Sequence, residues 1–159
     1  MATSSSQLLT ALLVSLTSDP VLVPNACVAE IVPIPEVEPG RRRGRAWLLG
    51  QIDWRGVKVP LISLEGLCGW GVPPYSADTR IAVFYTVSGE GKVPYFAVIV
   101  QGIPRLVRLY PETLSETASA QMTCPYMAQT ASLEGNPVLL PNLLSIEQTL
   151  VHELGTSYA

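Results

Sequence analysis

The stretch Leu49 to Leu64, Leu-Gly-Gln-Ile-Asp-Trp-Arg-Gly-Val-Lys-Val-Pro-Leu-Ile-Ser-Leu, alternates apolar and polar residues and breaks the alternation once, at Arg55-Gly56. A period of two belongs to a strand with one face covered, so the stretch predicts a β-hairpin. Ile52 and Trp54 face one side, Gln51 and Asp53 the other, and Val57, Val59 and Leu61 resume the period after the break. Gly56 falls where a type II turn needs positive φ, a conformation that a side chain disfavours. Pro60 has no N–H to give a ladder, which predicts an edge strand or a bulge at that point.

The rest of the chain supplies partners for such a hairpin. Leu8 to Leu16 predicts a first strand, Thr17-Ser18-Asp19-Pro20 a turn, and Val21 to Val23 a short return strand. Asn25 is placed to cap a short helix over Ala26 to Ile31, which Pro33 stops. Residues 33 to 45 predict an extended loop ending in Arg41-Arg42-Arg43-Gly44-Arg45. Ser63 is placed to cap one helical turn, Leu64 to Cys68, with Gly69 at the left-handed stop position. Arg80 to Val87 and Tyr95 to Gln101 are near-continuous apolar runs joined by Ser88-Gly-Glu-Gly-Lys92, which predicts two buried strands and a turn. Arg105 to Tyr110 predicts a strand, 111 to 123 a polar loop or short helix, and Tyr126 to Ser132 a further strand. Glu134-Gly-Asn-Pro137 turns into Val138 to Leu140. A closing helix over Leu143 to Leu154, capped by Asn142, carries Leu143, Ile146, Leu150 and Leu154 at helical spacing.

Composition agrees with many short strands. Fourteen prolines and 12 glycines in 159 residues favour frequent turns, and 159 residues suffice for a core. Only 14% of residues are charged, so part of the surface is apolar, as on proteins that partners cover. A net charge of -3 argues against a polyanion as the main ligand. Cys27, Cys68 and Cys124 are an odd, widely spaced set that signals neither a disulfide framework nor a zinc site, and a reducing cytoplasm fits them. The N-terminus lacks the basic start of a leader, and no apolar run reaches the roughly 18 residues that span a bilayer.

The run from Gly50 to Leu64 resembles the signature of the CheW-like domain, the coupling module of bacterial chemosensory arrays. That pattern is Gly-x-x-Asn-x-Arg-Gly-x-x-x-Pro-φ-φ-Asp-Leu, with φ here an apolar residue. Arg55-Gly56 and Pro60 keep their places, while Asp53 replaces Asn and Ser63 replaces Asp. Val28-Ala29-Glu30-Ile31 resembles the family's Val-x-Glu-Ile segment. Phe96 to Val107 resembles a second landmark ending in Val-Asp-x-Val, with Gln101 in place of Asp and an added Pro104. The arginine run is not part of the family pattern. The resemblance implies an all-β fold with minor helices, two packed and interleaved SH3-like five-stranded β-barrel subdomains over residues 8–153, between a flexible N-terminus (1–7) and a C-terminal tail (154–159). It implies a non-catalytic adaptor without cofactor or metal. The partners would be the regulatory domain of a CheA-type histidine kinase and the cytoplasmic tip of a chemoreceptor. The residues it points to for partner binding are Val28, Glu30, Ile31, Arg55, Gly56, Val59, Val100 and Gly102. The divergent second block and the arginine loop fit a specialised adaptor, such as one serving a surface-motility or pilus system.

Other chemistries find less support. The single His, His152, lies near the end of the closing helix, and a thiol enzyme would need a cysteine beside it. Ser88 to Lys92 lacks the spacing of a phosphate loop. A nucleic-acid-binding barrel would use the Arg41 to Arg45 loop with aromatic platforms, but Tyr85, Tyr95 and Phe96 sit in predicted strands and read as core. Arg55 is a solvated turn residue on the plain reading. Its guanidinium, with five donors in a rigid fork, suits a partner's carboxylates and carbonyls.

Overall fold

A computed structural model of the chain describes residues 9–17, 19–39, 46–87, 93–110, 112–116 and 124–157, the last three of these as backbone. The expected flexible start (1–7), the Arg41–Arg45 run, the Ser88–Lys92 turn and most of 111–123 lie outside the described residues. The described elements are β1 (Leu9–Val14), β2 (Val21–Pro24), a 3₁₀ turn (Asn25–Cys27), β3 (Val28–Pro33), β4 (Glu38–Pro39), β5 (Leu48–Trp54), β6 (Val57–Ile62) and α1 (Leu64–Leu67). They continue with β7 (Thr79–Tyr85), β8 (Tyr95–Gln101), β9 (Arg105–Leu109), β10 (Leu114–Glu116), β11 (Met127–Leu133), β12 (Asn136–Pro141) and α2 (Leu143–Ser157).

The strands form two sheets. The first runs β10-β11-β12-β2-β1-β9 and the second β3-β7-β8-β6-β5-β4. The second is one continuous stretch of chain inserted between β2 and β9 of the first, which is why the two units interleave. Among the described residues each has six strands where five were expected, because the short β4 and β10 add to the edges. The expected mostly-β architecture of two packed units is otherwise met.

The hairpin forms as its alternation requires. Ile52, Trp54, Val59 and Leu61 are buried, Asp53 and Lys58 exposed. Trp54 pairs with Val57, so only Arg55 and Gly56 lie in the turn. Both have positive φ, 50° and 77°, which is the pattern of a type I′ turn instead of the expected type II. The reason is twist: I′ matches the right-handed twist of a two-residue hairpin. Pro60 was expected at an edge or a bulge, yet β6 is interior, between β5 and β8. Its parallel pairing to β8 registers only at Leu61 and Ile62, just past the proline, and the bulge falls on β5 between Leu48 and Gly50.

Three more expectations need correction. The helix over Ala26 to Ile31 is a single 3₁₀ turn without a side-chain cap, followed by β3. Val28, Ile31 and Val32 are β-branched, and pairing with β7 gives their backbone a ladder that a short helix could not match. Part of the polar loop, Leu114 to Glu116, is a strand paired with β11. Cys68 and Cys124, whose spacing signalled nothing, are disulfide-bonded.

Ser63 and Asn142 act as expected. Ser63 Oγ accepts from the Gly66 N–H, and Asn142 Oδ1 accepts from the Ser145 N–H. The helix α2 runs past Leu154 to Ser157. The largest core is shared: Leu12, Val14 and Val23 of the first sheet meet Ile62, Phe84, Phe96 and Val98 of the second, with Ile146 and Leu150 of α2. The second sheet also encloses its own core of Ile52, Trp54, Val59, Leu61, Ile81, Val83, Ala97 and Ile99.

Candidate functional site

The turn of the hairpin places Arg55 at one end of the second sheet. Trp54, immediately before it, points inward and is only 8% exposed, so its indole N–H needs an acceptor. Glu30 supplies one. Its Oε1 accepts from Trp54 Nε1 at 2.9 Å and lies 3.0 Å from Arg55 Nη2. The Arg55 guanidinium carbon also sits 4.9 Å from the centre of the Trp54 ring. Glu30 reaches this point because β3 has a register shift between Val28 and Glu30. One carboxylate oxygen therefore fastens β3 to the end of β5 and orients the guanidinium, while the Arg55 side chain remains 68% exposed. An ion pair so open to water adds about 0 to 1 kcal/mol to stability. Its main effect is to hold the fork in place.

Aromatic rings support this corner from behind. Trp54 meets Tyr95 edge-on at 4.8 Å, and Tyr95 lies 5.7 Å from Tyr85. Tyr85 is 47% exposed, which corrects its reading as core: it ends β7, where the sheet runs out. On the outer edge, Lys58 Nζ donates to Glu38 Oε1 and Asp53 Oδ2, and Gln51 Nε2 donates to Glu38 Oε2. The hydrogen bond and charge of Lys58 hold the Glu38 carboxyl below its ordinary range, and the same contacts raise the Lys58 ammonium.

The opposite end of the second sheet carries a different surface. There β8 ends at Gln101, whose N–H donates to Ser15 O just past β1, and Gly102 turns the chain with φ 115° toward β9. Ile103 is 76% exposed and Leu106 58%, whereas Leu9, 68% exposed, pairs with Leu109 at the other end of β9. Arg105 and Arg108 are exposed on the same strand.

The eight residues singled out in the sequence thus divide. Glu30, Arg55 and Gly56 come together, with Val28 and Ile31 half-buried on the same strand as Glu30. Gly102 lies at the far end. Val59 and Val100 are 0% and 1% exposed, with their side chains packed inside the two cores. Trp54, Tyr85, Ile103 and Leu106 were missed as surface-shaping residues. Pro104 two residues after Gly102 was the available signal that the chain leaves one sheet there.

Among the described residues no three His, Cys, Asp or Glu side chains are grouped to hold a metal ion, and no helix is long and apolar enough to cross a membrane. Cys27 is unbonded, and burial pushes its thiol up, away from the thiolate that a nucleophile needs.

A family profile described as the CheW-like domain matches residues 10–150. The crystal structure of the scaffolding protein TtCheW from Thermoanaerobacter tengcongensis is similar in fold, with a TM-score of 0.71 and 16% identity over 86% of each chain. No curated protein matches the chain in sequence.

Proposed function

This chain belongs to the CheW-like domain family, and from that membership we propose that it is a non-catalytic adaptor joining a CheA-type histidine kinase to chemoreceptors. The observation that carries the proposal is the presence of two chemically different surfaces beyond the two ends of β8, the Arg55 corner of the second sheet and the apolar start of β9 in the first. The seven residues of β8 separate them by about 20 Å. The Arg55 corner offers a preoriented guanidinium fork to carboxylates and carbonyls of the kinase regulatory domain. The exposed Ile103 and Leu106 offer apolar area to the helical cytoplasmic tip of a receptor. Two partners can then be held at once, in the cytoplasm at receptor arrays.

The rivals fare worse on specific grounds. A nucleic-acid module would rest on Arg41–Arg45, against a net charge of -3. A thiol enzyme would rest on Cys27, whose thiol burial holds protonated, since the other two cysteines are bonded to each other.

Paired variants of the turn test the proposal. Arg55→Ala removes a mostly exposed side chain and should change stability by no more than about 1 kcal/mol, the upper end of what its exposed ion pair contributes. With the kinase regulatory domain present it should lose on the order of 2 kcal/mol, about thirty-fold in affinity, because a charge-assisted contact disappears. Receptor binding should be close to that of wild type. Gly56→Val is the contrast: a β-branched side chain at φ 77° brings roughly 1 to 3 kcal/mol of strain and should lower stability and binding together. Thermal melts and titrations of each variant against both partners read the difference. If Arg55→Ala binds the kinase domain as wild type does, the guanidinium has no coupling role.

A further inference from the structure

Cys68 and Cys124, 56 residues apart in sequence, are joined by a disulfide that crosses between the two sheets. Cys68 closes α1, which follows β6 of the second sheet, and Cys124 leads into β11 of the first. Cys68 is half-buried, whereas Cys124 is 2% exposed in the shared core. Cys68 is therefore the less buried of the two bonded cysteines. In a reducing compartment, the setting proposed above, a disulfide is most often transient and redox-sensing.

We propose that Cys68–Cys124 is a thiol–disulfide exchange site acted on by a protein dithiol, and that its state sets how firmly the adaptor binds; the second half rests on the adaptor reading. A reductant thiolate attacks Cys68 Sγ, forms a mixed disulfide with it and expels Cys124 as a thiolate, which takes up a proton. The reductant's second thiolate then attacks its own sulfur in the mixed disulfide and releases Cys68. Two protein thiols and one reductant disulfide result, so two electrons pass to the protein.

The local structure makes the bond consequential. The helix α1 has four residues, too few to persist unaided. Its beginning is held twice without the disulfide: the Ser63 N–H donates to Trp47 O, and the buried Glu65 carboxylate accepts from the Thr17 N–H and hydroxyl across the sheet boundary. Its end is tied to the first sheet through Cys68. Beyond it, Gly69 and Gly71 have φ 79° and 92° and flank the exposed Trp70, and Val72 packs beside Gly66. Reduction removes the covalent tie between the end of α1 and the first sheet. That end is then held by the Gly69 N–H to Gly66 O and Trp70 N–H to Glu65 O hydrogen bonds and by Leu67 against the shared core, a weaker anchorage for this apolar loop. Burial and a raised thiol make Cys27 a poor competitor for the exchange.

The test uses the whole chain with Cys27→Ser as background. Oxidised protein is treated with a protein dithiol in native buffer, and thiols are counted by alkylation and intact mass. Two new thiols are expected, with a fall in melting temperature on the order of 10 °C from loss of a long cross-link. Titration against the kinase regulatory domain and the receptor tip should then show the reduced form at least about five-fold weaker toward one of them. The double variant Cys68→Ser with Cys124→Ser should match the reduced form. A bond that survives excess dithiol without denaturant overturns the exchange site. Equal affinity of the two forms overturns the coupling alone, whereas failure of the oxidised form to bind either partner overturns the adaptor reading beneath it.

Discussion

Truncating Ile146 to alanine is expected to remove roughly 2 to 5 kcal/mol of folding stability, the range found when a buried aliphatic site is emptied. Ile146 is 2% exposed and lies in the core that both sheets share, so the cavity would open between three packed elements. Collapse into it is opposed at both sides of the residue. Asn142 caps the helix just before it, and Glu147 just after it accepts from the Val87 N–H at the end of the β7 arm. Leu144 on the same helix is 41% exposed and serves as the control, where Leu144→Ala should cost about 0.5 kcal/mol or less. Urea denaturation followed by tryptophan fluorescence gives both values. Equal midpoints for wild type and Ile146→Ala would mean that α2 does not pack on the sheets in solution.

The second large effect is expected at Gly50. This residue sits at the bulge of β5 with φ 142°, and a Cβ built there would lie 1.9 Å from the backbone oxygen of Glu38 and 3.2 Å from Pro39 Cα. A backbone oxygen cannot swing aside as a side chain can. Gly50→Ala must therefore either distort the bulge or push β4 off the sheet edge, where strain and overpacking each contribute roughly 1 to 3 kcal/mol. Displacing β4 also separates Glu38 from Lys58 and Gln51. Chemical denaturation should show the loss of stability, and the Glu38 carboxyl should titrate closer to its ordinary range, as followed by NMR. A variant as stable as wild type, with Glu38 still held low, would show that β4 does not lie against Gly50.

These two positions differ in how visible they are from the sequence. Ile146 could be named in advance because Leu143, Ile146, Leu150 and Leu154 repeat at helical spacing, and the structure buries Ile146 and Leu150 most deeply. Gly50 could be named only as part of a family pattern. Its reason is a close approach from β4, a strand of two residues that no local periodicity announces. The candidate site shows the same division. Arg55-Gly56 interrupts an alternation and so marks the turn, whereas Glu30 as the acceptor shared by Trp54 and Arg55 depends on a bulge and lies 24 positions before Trp54 in the chain.

The sequence by itself determined the hairpin, the order of most strands, both helix caps and the apolar stripe of α2, because each follows from contacts within a few residues: side-chain alternation, a capping hydroxyl or amide, a helical repeat. Only the tertiary structure decided that Val28 to Ile31 is a strand, that Pro60 lies inside a sheet, that Val59 and Val100 are core, and that Cys68 meets Cys124. Each of these depends on which distant segment lies alongside. A β-branched run takes up a strand when β7 offers it a ladder, a proline is tolerated where the neighbouring pairing begins one residue later, and two cysteines bond when the packing of two sheets brings their Cα atoms to 4.9 Å.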